Sequence, residues 1–370
     1  MIKKIIPAVL LAIFIAACSS SDDSVVSDTP GDTAFDRAAM LRNFADNLII
    51  PAYQTLNNDL SALTTAKDNF TATPNQANLD ALRSNWFSAY KTWQHVEVFN
   101  IGKAEEIQYS FQMNIYPTNT TDIQNNIANG NYDLTAVNNN DAVGFPALDY
   151  MLYGIGANDT EILEKYTTNA ESVKYQTYLS DLINQMKNLT QEVLNDWNAS
   201  YRDTFIASTS NTASSAANKI VNDYIFYYEK GLRANKIGIP AGNFSSTPLP
   251  DKVEAFYNQE ISKELALEAL TAVQNIFNGT HFESSTSGIG FKGYLDNLDR
   301  TELATMINGQ FNTARGKIQA LNANFSTQIN TDNTKMTQAY DALQAGVVLL
   351  KVDMLQAFNI SVDYVDADGD

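Results

Sequence analysis

Apolar residues recur every three or four positions along almost the whole chain, a spacing that admits little besides packed helices. From Phe35 to about Phe70 the stripe runs through Leu41, Phe44, Leu48, Leu56, Leu60 and Leu63, with Pro51 expected to kink or split the helix. A second helix, from about Asn75 to Ile101, carries Leu79, Leu82, Trp86, Tyr90 and Trp93 on one side, with Gly102 as its stop. A third, at about 169–200, holds Tyr175, Leu179, Leu182, Met186, Leu189, Val193 and Trp197 in register. Further helices are predicted at about 213–237, 251–277, 301–324 and 333–358. No segment alternates as a strand would, so the predicted class is all-α, with one-sided helices packed as bundles. A helix ending in Phe99-Asn100-Ile101-Gly102 is echoed by one ending in Asn235-Lys236-Ile237-Gly238. The echo suggests two bundles related by duplication, over residues 34–165 and 166–362; chance likeness between amphipathic helices explains it equally well.

The two ends read differently. MIKKIIPAVLLAIFIAACSSSDD has a basic head at Lys3 and Lys4, an apolar run from Ile5 to Ala17, and small residues before Cys18. The run is short for a permanent span and has the form of a secretory signal. Ile15-Ala16-Ala17-Cys18 resembles a bacterial lipobox, which implies a signal peptide over 1–17 and lipid on Cys18. Residues 18–33 then form a flexible tether, rich in Ser, Asp and Thr and without periodicity. The expected location is the outer membrane of a Gram-negative bacterium, with which Ser19 after Cys18 is compatible, the chain being periplasmic or surface-exposed and held to the membrane through its lipid. Cys18 is the sole cysteine, so the rest of the chain has no disulfide, thiolate nucleophile or Cys metal ligand. The formal charge is −18, and removing Lys3 and Lys4 takes it to about −20. Such a surface repels phosphate backbones and argues against nucleic acid as a partner. VDYVDADGD at the other end gathers four aspartates but lacks the closing Glu of an EF-hand, and 363–370 reads as an acidic tail.

Between helices, residues 103–143 are rich in Asn and Thr, which compete for backbone hydrogen bonds and favour turns. The segment is predicted as a long loop, with a short helix at 121–128. Of the two histidines, His95 and His281, neither has a metal-binding partner at helical spacing; His95 and Glu97, two apart on a helix, point to opposite sides. There is no His-Glu-x-x-His helix, Gly-x-Ser-x-Gly elbow or phosphate-binding loop. Glu97, four residues after Trp93, emerges on the aromatic side of its helix. It is either ion-paired to a neighbouring helix or lines a polar cavity, and Arg233 and Lys236 are the available partners, with Glu229 competing for Arg233.

The stretches WFSAYKTWQHVEVFNIG (86–102), GFPALDYMLYG (144–154), EKGLRANKIGIPAG (229–242), GFKGYLDNL (290–298) and the terminal DADGD together resemble the imelysin-like family of bacterial envelope proteins. The resemblance implies two helical bundles with a pocket between them, and an association with uptake of iron or another metal, although the family carries a peptidase name. In many members the second stretch reads Gly-x-His-x-x-Glu, a His and Glu on one helical face that share a metal. Here Gly144 keeps the glycine, Pro146 stands for the His and Asp149 for the Glu. Proline offers no lone pair, though its missing N–H suits a first helical turn, where Asp149 is favoured by the helix dipole. The expected site therefore comprises Glu97, Gly144, Pro146, Asp149, Arg233 and Lys236. Glu97 and Asp149 are the candidate oxygen ligands for a metal ion such as iron or calcium. The reading that follows is a binding protein, for a metal ion or a chelated ligand, that works with an outer-membrane transport partner. A metallopeptidase and a scaffold for another envelope protein are the alternatives.

Overall fold

In the computed structural model of the chain, residues 35–364 are described. The expected signal peptide 1–17, lipidated Cys18, tether 18–33 and all but the first two residues of the acidic tail 363–370 lie outside them. The described residues form thirteen helices and no strand, so the chain is all-α as its periodicity requires.

Helix α1 spans 37–72 and runs through Pro51. A π-turn over Ala45–Ile49 ends just before that proline, so the missing N–H falls where the hydrogen-bond register has already changed. Helix α2, Gln76–Val96, starts where the Asn75 side chain accepts the Asn78 N–H at 2.9 Å. It stops six residues before Gly102, whose φ of +65° opens the next turn instead. The region expected to be a loop is largely helical: α3 Lys103–Glu106, α4 Tyr109–Met113, α5 Thr120–Asn129 and a 3₁₀ turn at Val137–Ala142. Its asparagines supply helix ends and turn contacts. Asn119 caps α5 through the Asp122 N–H, and the Asn139 side chain donates to the Asp133 carbonyl.

Helix α6 covers 144–154 and ends in a π-turn over Tyr150–Gly154; α7 is Asp159–Tyr166. Helix α8 runs 172–207 and α9 runs 216–241, the latter with an unusually long π segment over Tyr227–Gly238. The helix expected at 251–277 begins only at Ser262 (α10, Ser262–Asn278). Ahead of it Pro250 starts a 3₁₀ turn, and Ala255 and Gln259 take φ values of +54° and +66°, which no α-helix admits. Helices α11 (Phe291–Asn297), α12 (Thr301–Gln319) and α13 (325–358, broken at Asp332) complete the chain.

Helix α1 lies against α2 and α8, with α5, α6 and α7 also on α8. Helices α9, α10, α12 and α13 form the second group, and α2 meets it through α10. From Phe35 onward these groups belong to one compact unit. The core is aromatic along α2, where Trp86, Tyr90 and Trp93 are fully buried. In the internal echo, Gly102 has φ +65° and Gly238 −71°, so the two glycines do different backbone work.

Candidate binding site

The inner face of α2 presents Trp86, Tyr90, Trp93 and, at its C-cap, Glu97. Against it packs the start of α6. Gly144 has φ +74°, and a Cβ there would lie 2.1 Å from the Met113 carbonyl oxygen, so only glycine lets α6 sit this close to α4. Phe145 then stacks flat on Tyr90 at 4.5 Å, and its carbonyl accepts the Trp86 indole N–H at 3.3 Å. Pro146 occupies the first turn, as its missing donor allows, and Asp149 follows one turn on, almost fully buried.

Both Asp149 oxygens are engaged by backbone. Oδ2 accepts the Tyr257 N–H at 2.8 Å and Oδ1 the Asn258 N–H at 2.9 Å. Burial nevertheless pushes the carboxyl up to about 7, with those two bonds opposing the rise. The segment so held, residues 250–261, is a strap joining α9 to α10.

Glu254 of that strap turns inward. Its Oε2 lies 2.7 Å from Lys236 Nζ, and its Oε1 accepts from Asn114 Nδ2 at 3.0 Å and from Gln94 Nε2 at 3.3 Å. The same Asn114 amide donates to Glu97 Oε1 at 2.9 Å, while Lys236 stands 3.7 Å from Glu97 Oε2. Tyr90 closes the network by donating to Asn114 Oδ1 at 2.7 Å. Burial raises the Glu97 carboxyl above its usual range; Lys236 opposes this and Glu254 adds to it. Burial, reinforced by the two glutamates, also lifts the phenols of Tyr90, Tyr116 and Tyr227 far above neutrality. These rings therefore act as neutral hydroxyls. Glu97 Oε2, Gln94 Oε1, the Trp93 indole N–H and the Tyr227 hydroxyl are buried without a well-formed hydrogen bond.

On the other side of the strap lies a cavity of about 220 Å³, walled by Tyr116, Pro146, Asp149, Lys252, Phe256 and Tyr257 among others. That is room for several water molecules. Half of the wall belongs to the strap, and the remainder to the 116–120 turn and α6.

Of the residues expected at the site, Gly144, Pro146 and Asp149 shape the cavity side, and Glu97 and Lys236 meet in the buried network. Arg233 goes elsewhere. Its guanidinium donates to Tyr340 Oη at 3.1 Å and to Gln344 Oε1, and it stands 3.6 Å from Glu229 of its own helix. Three residues apart on an α-helix, Arg233 and Lys236 would share a face; in the i→i+5 register of Tyr227–Gly238 they diverge. The two candidate metal ligands also sit in different networks, Asp149 on strap amides and Glu97 with Asn114 and Lys236. Among the described residues no three His, Cys, Asp or Glu side chains stand together as a metal cluster. His95 pairs with Glu268 at 3.1 Å and packs edge-on against Phe282. Glu254, Gln94 and Asn114 carry no motif that singles them out in the sequence. The one clue to Glu254 is Leu249-Pro250, which disfavours helix just before it.

The sequence profile of the family described as Imelysin matches residues 49–351. Iron-regulated protein A of Synechococcus elongatus is 20% identical over 308 residues, covering 80% of this chain and 79% of that protein. Among solved structures, one from Parabacteroides distasonis, named for an iron-regulated protein A precursor, superposes with a TM-score of 0.71 at 17% identity, covering 90% of this chain and 97% of that one. An imelysin-like protein from Psychrobacter arcticum gives 0.64 at 18% identity, with 89% and 97% covered. At these identities the structures speak for the fold.

Proposed function

The chain belongs to the imelysin family, and on that premise we propose that it is a lipid-anchored binding protein of the outer membrane. In this reading it serves uptake of iron or another metal, passing its ligand to a transport partner. The name of the Synechococcus relative, an iron-regulated protein, supports the link to iron. Anchoring would be through Cys18.

The observation that carries the reading is the polar cavity of about 220 Å³ beside Pro146 and Asp149, bounded by segments far apart in sequence. Its size and lining favour an ion that keeps its own shell. A bare ion would need several protein ligands, whereas the Pro146 side chain has no donor atom and each Asp149 oxygen already gives part of its acceptor capacity to an amide bond. A hydrated ion or a small chelate leaves those bonds intact in a cavity whose wall includes Thr118, Thr120 and Tyr257, with Asp251 and Lys252 also at the wall.

Calorimetric titration of the full chain with Fe³⁺, Fe²⁺, Ca²⁺, ferric citrate and citrate alone tests this, alongside elemental analysis and membrane fractionation. Stoichiometric binding of iron or its citrate, abolished when Thr118→Trp fills the cavity, is expected. Absence of binding by every probe, or binding indifferent to Thr118→Trp, would overturn the reading.

A further inference from the structure

The strap has two features that the cavity alone does not require. It is pinned from both sides by carboxylates: Glu254 reaches inward to Lys236, Asn114 and Gln94, and Asp149 holds the Tyr257 and Asn258 amides from the side of α6. Between these two attachments sits Ala255 at φ +54°, a left-handed conformation that a side chain with a Cβ rarely adopts. Strain of this kind persists only where neighbouring contacts hold it, and it accumulates at parts that move.

We propose that residues 253–258 are a latched gate to the cavity, with Glu254 as a positioning residue that forms its inner latch and Asp149 the outer one. Val253, Ala255, Phe256 and Tyr257 all contribute to the cavity wall, so lifting this short run opens the cavity without disturbing a helix. Ala255 supplies the hinge, because release of either latch lets it relax to negative φ. Gln259, at φ +66°, marks the other end of the moving run. The latches themselves are polar, while Val253 and Ala255 are buried, Phe256 packs against the core and the Tyr257 ring lies 5.0 Å from that of Tyr150. Opening therefore exposes these side chains as well as exchanging the latch hydrogen bonds and one ion pair for water, a local transition confined to one short run. The gate rests on the binding reading for its purpose, but not for its existence.

Because Cys18 is the sole cysteine, a single reporter thiol can be placed on the strap. The full chain carrying Cys18→Ser and Val253→Cys, buried at 2% exposure, is labelled with a maleimide under native conditions. A matched chain carries Ala269→Cys, fully buried on α10, as the reporter of global opening. Slow labelling at 253 is expected, rising about tenfold or more when Glu254→Gln or Asp149→Asn is added, and by a clearly larger factor than labelling at 269, which follows any change in global stability. Glu254→Gln keeps the shape and one acceptor but loses the charge on Lys236, so its effect reads the latch rather than lost volume. Three results would overturn the gate: labelling at 253 as fast as an exposed thiol in the parent, no acceleration in either variant, or equal acceleration at 253 and 269. No ligand is used, so a chain that binds no metal and a chain with a rigid strap are separate findings.

Discussion

Replacing Asp149 by asparagine removes a buried charge while nearly keeping the side-chain shape, and the outcome depends on pH in a way the structure dictates. Burial pushes the Asp149 carboxyl up to about 7, against about 3.9 for an unfolded aspartate. The folded protein therefore holds this proton more tightly than the unfolded chain does. The stability this contributes is fully present below about pH 4 and is lost as pH rises through about 7. The gap between the two values sets a ceiling of about 4 kcal/mol on that loss. In the Asp149→Asn variant the side-chain amide cannot ionise, but its NH₂ cannot accept a hydrogen bond either. One of the Tyr257 and Asn258 N–H groups is then left facing a donor, at a cost of about 1–3 kcal/mol. The variant should be less stable than the parent by that amount near about pH 4–5, and equally or more stable near about pH 8–9. Urea unfolding followed by tryptophan fluorescence reports directly, since Trp86, Trp93 and Trp197 are all buried. Other carboxylates titrate alike in both proteins, so the difference between the two stability curves isolates Asp149. Parallel curves would refute the reasoning, because they would mean that the two amide bonds outweigh burial and keep the carboxylate ionised.

Lys236→Met leaves Glu97 and Glu254 facing each other with no buried cation between them, a loss of about 3–5 kcal/mol at neutral pH. Part of it should return in mild acid as a carboxyl takes up a proton, which denaturant melts at two pH values will show. Gly144→Ala forces a Cβ into the Met113 carbonyl and a left-handed φ, and should cost at least about 1–2 kcal/mol in chemical denaturation. Phe145→Ala opens a hole beside Tyr90 and Trp93, with an expected loss of about 3–5 kcal/mol by the same measurement.

Much of the fold is legible in the chain, because apolar spacing reports which side of a helix is buried. Leu79, Leu82, Trp86, Tyr90 and Trp93 fall on one face by spacing, and all five are fully buried. Composition is a poorer guide than periodicity: the Asn- and Thr-rich stretch after Gly102 reads as loop, yet Asn119 caps a helix within it. The strap reads as helix because Val253, Phe256 and Tyr257 imitate helical spacing over one turn, while a backbone conformation such as that of Ala255 leaves no mark in residue type. The nearness of Glu97 and Lys236 is legible, since the former lies on the aromatic face of α2 and the latter on a largely apolar helix. The same spacing rules send Arg233 to the wrong place because they assume an α-helical register. Glu254 has no readable partner, since Gln94, Asn114 and Lys236 come from three separate helices or turns.

The long π segment at Tyr227–Gly238 has a consequence for how such a protein diverges. Each turn of that register accommodates more residues than the α-helical turns before it, so it is equivalent to an α-helix that has absorbed extra residues. Losing one residue ahead of Lys236 would wind the segment back toward α geometry and swing every following side chain to a new bearing. Deletions and insertions, more than substitutions, are then the mutations that redraw which of Glu229, Arg233 and Lys236 meets Glu97. Two homologues that differ only in such a step would carry the same letters in this helix, out of column with one another, and point them at different neighbours.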